Sequence, residues 1–179
     1  LDQIYYPVHT PSDSLTLRKK NVVVLILESF GREYIGAYNT QLDDGHYQGY
    51  TPFVDSLIQH SVTYDYTFGN GRKSVDGMPS ILSSIPRFIE PFFLTPASLN
   101  EVSGLAGELR KAGYYSAFFH GAENGSMGFE AFAHATGYHD YFGRTEYNQD
   151  KRFGGDKDFD GMWAIWDEPF LQYYATKMS

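Results

Sequence analysis

The chain has 179 residues, the length of one ordinary domain, and its 42% hydrophobic content is enough to build a core. Its net charge of -8, with no long basic run, argues against nucleic acid as a partner, because phosphate-backbone binding needs clustered Lys and Arg. With no cysteine, disulfides, thiolate metal sites and a Cys nucleophile are excluded, and the compartment stays open. Fifteen Tyr and 14 Phe point to a Tyr-rich core and rim. No apolar stretch approaches the roughly 20 residues that span a bilayer. The start, Leu1-Asp2-Gln3, lacks a basic n-region, an h-region and an initiator Met, so a processed or excised piece of something longer is expected.

Residues 1–20 are polar and turn-rich, with Pro7 and Pro11, and read as a lead-in arm ending in Arg18-Lys19-Lys20. Asn21 opens the unbroken apolar run Val22 to Leu27, which reads as a strand covered on both faces. Gly31, Gly36 and the polar stretch 39–49 make a loop. Thr51-Pro52 supplies an N-cap with Pro at the first helical position, predicting a helix over 52–60. Alternation over 62–68 suggests a second strand. After the tight loop Gly69 to Lys73, apolar spacing at Met78, Ile81, Leu82 and Ile85 predicts a helix closed by Pro86. A further helix is expected over 99–112, with Asn100 as N-cap and Gly113 as stop. Then come a strand over 114–119, a short helix over 127–136, a small strand over 138–142 and a polar loop over 143–160. A terminal helix over 163–177 is kinked or restarted at Pro169. Strands alternating with helices define an α/β class with a mostly parallel sheet flanked by helices.

Three side chains in this layout carry chemistry. Glu28 ends the apolar run, at the strand edge where α/β sheets gather their working residues. It reads either as a metal ligand or acid/base group, or as a polar residue closing the strand; the segment alone does not decide. Ser74 opens a helix behind Gly-Asn-Gly-Arg-Lys, where free N–H groups stabilise an anion and Arg72 and Lys73 add positive charge. An N-cap serine is the alternative reading. A metal bridging Glu28 and Ser74 would lower the serine's pKa. His120 ends the 114–119 strand on the same edge, as a site residue or as one bonded into a turn. Asp76 could cap or orient the Ser74 loop, but reads foremost as a first-turn acid favoured by the helix dipole. Trp163, Trp166 and Phe170 form a helical stripe expected in the core. Asp156, Asp158 and Asp160 superficially resemble a calcium loop, but the required Gly and Glu positions are missing.

Taken in order, the strand ending Glu28-Ser29-Phe30, the Asn70-Gly71-Arg72-Lys73-Ser74-Val75-Asp76-Gly77 loop, Ser83-Ser84-Ile85-Pro86, Phe118-Phe119-His120-Gly121 and Trp166-Asp167-Glu168-Pro169 resemble the lipoteichoic acid synthase-like branch of the sulfatase/alkaline phosphatase superfamily. The resemblance implies that residues 21–179 are the N-terminal part of a sulfatase-like α/β catalytic domain, incomplete at its C-terminus. It implies an extracytoplasmic domain following transmembrane helices, hence a membrane surface nearby. It also implies one divalent metal ion (Mn, Mg or Zn) and a covalent intermediate on the nucleophile. On that resemblance Glu28 matches the first metal-ligand carboxylate, Ser74 the nucleophile and metal ligand, and His120 a rim histidine; Lys73 would stabilise the equatorial oxygens. Two departures stand out. The Trp and Arg that hold glycerol-phosphate in the lipoteichoic acid enzymes are replaced by the stretch Glu123 to Phe129, and the Asp-His ligand pair of the C-terminal half is missing.

The function expected is therefore metal-dependent phosphoryl-ester transfer in the cell envelope, on a phospholipid or other phosphate or sulfate ester. A sulfatase ranks lower, because Ser74-Val75-Asp76-Gly77-Met78 does not offer the C/S-x-P-x-R context of formylglycine formation. The alternatives are a phosphodiesterase hydrolase of the same superfamily and a non-catalytic fragment lacking the other ligands. A binding domain reusing the fold is a third reading.

Overall fold

The computed structural model describes residues 18–87 and 89–179. Its centre is a parallel pair of short strands, β1 (Ala117–Phe119) and β2 (Asp140–Phe142), in register Ala117 to Asp140, Phe118 to Tyr141 and Phe119 to Phe142. Alternate side chains of a strand leave on opposite faces, and here each face nucleates its own core. Phe118 and Tyr141 stack at 5.6 Å and join Val75, Met78, Leu82, Phe129 and Phe132. Phe119 and Phe142 stack at 4.7 Å on the other side and join Tyr147, Ile165, Phe170 and Tyr173. Helices therefore cover both faces of a parallel pair, which is the α/β arrangement expected.

The first face is built by α2 (Ser74–Ser83) and α4 (Phe129–Ala135), and the second by α5 (Arg144–Gln149) and α6 (Asp167–Met178). Two further helices are α1 (Pro52–Ile58), with its proline at the first helical position, and α3 (Leu105–Lys111). Helix α2 contains Pro79, which has no N–H to donate to the preceding turn. It ends in a left-handed Ser84 (φ 55°), whose N–H bonds to Ser80 O (3.2 Å) while that of Ile85 reaches back to Pro79 O (3.2 Å). Gly113 stops α3 as predicted, at φ 78° with its N–H on Arg110 O (2.8 Å).

Several expectations are corrected. Residues 21–27 lie outside any ladder, and their apolar side chains are exposed, Val23 by 65% and Leu25 by 62%. Lys20 N–H donates to Tyr114 Oη (3.2 Å) at one end of the run, and the charge of Glu28 acts on His120 at the other. An apolar run becomes a buried strand only where other elements pair and cover it, and the described residues supply none that do. The 62–68 segment is likewise an exposed loop, with Tyr66 and Phe68 both near 90% accessible. Asn100 is extended and caps nothing; α3 starts at Leu105 behind Gly104, which fits closely between Thr136 and Ser83. The polar stretch after residue 143 holds α5, whose Glu146 reaches back to accept the Gly143 N–H (2.7 Å). Trp163 and Trp166 precede α6 and are exposed, so the stripe is not core; Phe170 alone of the three is buried. Residues 1–17 of the lead-in arm lie outside the described residues.

Candidate active site

Helix α2 begins at Ser74, with extended Lys73 (φ -139°, ψ 158°) as its N-cap residue. Ser74 is thus inside the first turn, so its side chain does not sit at the cap position. Its hydroxyl makes no hydrogen bond among the described residues. It is half-buried and sits at the end of the helix where backbone N–H groups are unpaired and the dipole is positive. Asp76 N–H and Gly77 N–H already turn back onto Lys73 O (2.9 and 3.1 Å).

The loop in front of Ser74 is held by Asp76, in the orienting role that ranked below a first-turn acid. Asp76 is 3% exposed. Its Oδ2 accepts the Arg72 N–H (3.2 Å) and pairs with Arg87 Nη1 (3.3 Å), and its Cβ and carboxylate pack against the left-handed Gly71 (φ 92°). A Cβ at Gly71 would collide with that side chain, so glycine is required there on both counts. From the other side, Arg87 N–H donates to Asn70 Oδ1 (2.8 Å). Asp76 is therefore the anchor of the loop, and its dipole contact is secondary. The signal available in sequence was a lone carboxylate among buried positions of an apolar helix; Arg87 and Asn70 offered none.

Lys73 is exposed and lines a recess of about 260 Å³ with Arg72, Asp76, Arg87 and Glu90. Glu90 also borders a larger, apolar recess of about 450 Å³ walled by Ile85, Pro86, Ile89, Phe92 and Val102. A charged recess with three cations and two carboxylates, by the loop that opens α2, thus adjoins an apolar one at Glu90.

His120 follows β1, with its N–H on Phe142 O (3.0 Å). Its ring packs edge-on against Phe129 (centroids 4.6 Å apart) and Trp163 (6.4 Å), and Nδ1 lies 3.3 Å from Tyr141 Oη. Burial pulls the imidazole pKa down to about 4, against a smaller upward pull from Glu28. The ring is therefore neutral near pH 7. Through Phe129 it rests on the same core as Val75 and Met78 of α2. Glu28 itself is exposed in a turn with the left-handed Ser29 (φ 55°). The charge of Glu28 thus reaches His120. Among the described residues no hydrogen bond or ion pair joins Glu28 to Ser74, and no group of three or more His, Asp or Glu side chains is placed to hold a metal ion. A carboxylate and a hydroxyl do not complete the shell of a divalent cation, so these residues alone do not fit the whole site.

The acidic loop is likewise no calcium site. Asp156 pairs with Arg144 Nη2 (2.6 Å), Asp158 Oδ2 accepts the Tyr147 hydroxyl (2.5 Å), and Asp160 accepts backbone N–H groups of Met162, Trp163 and Ala164. Hydrogen bonds to Arg144 and Asn148 depress the Asp156 pKa.

The fold has a solved counterpart. The crystal structure of a protein in the alkaline phosphatase superfamily from Vibrio parahaemolyticus superposes with a TM-score of 0.59 at 21% identity, over 70% of this chain and 29% of that one. The present chain therefore spans under a third of that protein. The sequence model of the Sulfatase family matches residues 20–177. The chain belongs to the Sulfatase family.

Proposed function

We propose that the chain carries the nucleophile of a phosphoryl-ester transferase of the cell envelope, acting on a phospholipid headgroup or phosphoglycerol unit through a phosphoserine intermediate. The observation that carries this reading is Ser74. Its hydroxyl makes no hydrogen bond among the described residues, and it stands in the first turn of α2 behind a loop fixed by Asp76. Ser74 Oγ bonds to phosphorus as the bond from phosphorus to the leaving alcohol breaks. The serine proton passes to a base, and the departing oxygen is protonated. Water or an acceptor hydroxyl then attacks the phosphoserine and frees Ser74. Lys73, Arg72 and the helix N-terminus meet the negative charge on the equatorial oxygens. On this reading His120 serves on the rim as a neutral donor or acceptor.

A bound divalent ion would supply further stabilisation of the serine alkoxide, with Glu28 and Ser74 as two of its ligands and additional donors required. The adjoining charged and apolar recesses suit an amphiphile with an anionic head. That favours phospholipid over a small soluble ester. The membership in the Sulfatase family favours a second reading, ester hydrolysis, in which water alone resolves the intermediate. A location on the outer side of the cytoplasmic membrane accompanies the first reading.

The test is turnover of a chromogenic phosphodiester and of a sulfate ester by the full-length protein, with added Mn, Mg or Zn. Ser74→Ala is expected to lower kcat by at least about 10³-fold, the scale on which a covalent nucleophile acts. Undiminished turnover in Ser74→Ala rejects the assignment, and turnover of the sulfate ester alone selects the second reading.

A further inference from the structure

Tyr141 has not entered the chemistry so far, yet among the described residues its hydroxyl is the one group within hydrogen-bond distance of the His120 ring. It is 7% exposed, in the middle of β2 opposite Phe118, and its aromatic ring belongs to the core beneath α2. Its hydroxyl lies 3.3 Å from His120 Nδ1, and among the described residues it has no other hydrogen-bond partner. That leaves two arrangements. With hydrogen on Nδ1, the imidazole donates to Tyr141 Oη, and the phenol's own hydrogen is left buried with nothing to accept it. An unmade bond of that kind costs about 1–3 kcal/mol. With Nδ1 bare, the phenol donates to it, so the phenol hydrogen and Nδ1 are both satisfied and only Nε2, on the half-buried side of the ring, stays open to an incoming partner. In a neutral imidazole the hydrogen then sits on Nε2.

We propose that Tyr141 is a positioning residue. Its hydroxyl holds His120 in the Nε2–H tautomer and so makes the histidine a hydrogen-bond donor, not a base, toward an anionic ester oxygen at the Ser74 site. This rests on the reading of Ser74 and His120 as parts of one site. The placement fits a donor. Phe129 and Trp163 pack edge-on against the ring, and Nε2 makes no hydrogen bond among the described residues. The strand register supplies the precision. Phe118 pairs with Tyr141, and His120 N–H bonds to Phe142 O, so donor and acceptor are fixed on adjacent strands two residues apart in register.

The test reads the tautomer directly, by long-range proton–nitrogen correlation of the histidine rings in the wild type and in Tyr141→Phe, with inorganic phosphate as the probe anion. The expected wild-type pattern is Nε2–H for His120, changing to a mixture of tautomers in Tyr141→Phe. Phosphate should shift the His120 Nε2 resonance, with affinity falling about threefold to tenfold in the variant. In a His120→Gln background, where the amide nitrogen stands in for Nε2–H, Tyr141→Phe should leave phosphate affinity unchanged. An Nδ1–H tautomer in the wild type, or an unaltered tautomer in Tyr141→Phe, overturns the proposal. So does the absence of any phosphate response at His120, or an equal loss of affinity in the His120→Gln background. Failure of Ser74→Ala to reduce turnover, with the tautomer result standing, rejects only the catalytic reading.

Discussion

Asp76, buried, and His120, half-buried, are the two polar side chains on which the candidate site turns, and their loss of solvent makes each answerable to experiment. Asp76 is nearly inaccessible and shares its charge with Arg87 and the Arg72 N–H. Removing one partner of such a pair leaves the other uncompensated, which costs about 3–5 kcal/mol in buried pairs. Arg87 keeps some contact with water, so Asp76→Ala is expected at the low end, about 3 kcal/mol, in urea denaturation. For His120 the sign follows from its depressed pKa. Above the unfolded value of 6.5 both states are neutral and stability is unaffected. As pH falls from there toward about 4, the unfolded chain takes up a proton that the folded ring resists, so stability is lost over that interval. The urea midpoint should therefore drop between pH 7 and pH 5, and the drop should shrink in His120→Gln. In the sequence, His120 was legible because it closes a strand. The weight of Asp76 was not, since first-turn acids are common and nothing local shows that this one is buried.

At the scale of elements, glycine governs how closely the helices of the first face approach. The Cβ of an alanine at Gly104 would lie 2.8 Å from Thr136 Cβ and 2.9 Å from Ser83 Oγ, and the glycine backbone there is extended (φ -144°), so the obstacle is steric alone. Thr136 is buried and its hydroxyl is tied to Phe132 O (2.8 Å), which limits its retreat. Gly104→Ala is therefore expected to destabilise by about 1–3 kcal/mol, the usual cost of overpacking, seen as a lowered Tm. Element types read well from sequence wherever local chemistry is decisive: Pro52 at the start of α1, the spacing of α2, Gly113 ending α3. They read poorly where tertiary contact decides. Helix α5 hid in a polar stretch because its start rests on Glu146 reaching back to Gly143. The 62–68 segment alternates like a strand yet has no neighbour to pair with.

For the molecule as a whole, the division into two cores by one parallel strand pair makes the α/β class secure, and the class was legible from the alternation of strands and helices. The coverage of residues 22–27 was not, because composition tells what a segment wants to bury and not what it finds. Six consecutive aliphatic side chains, all at least 37% exposed, form an apolar ribbon. This chain should bind a hydrophobic reporter dye, and Val23→Lys with Leu25→Lys should reduce the fluorescence while far-UV dichroism stays the same. The clasp around Ser74 has a different consequence, one of entropy. Asn70, Arg72, Asp76 and Arg87 tie both ends of a glycine-rich loop to one helix. Fixing a residue's backbone costs about 1–2 kcal/mol, and for this loop that disorder is surrendered as the chain folds. On the proposed function, an arriving ester would meet a loop that is already still, and its binding energy would remain available for strain at phosphorus.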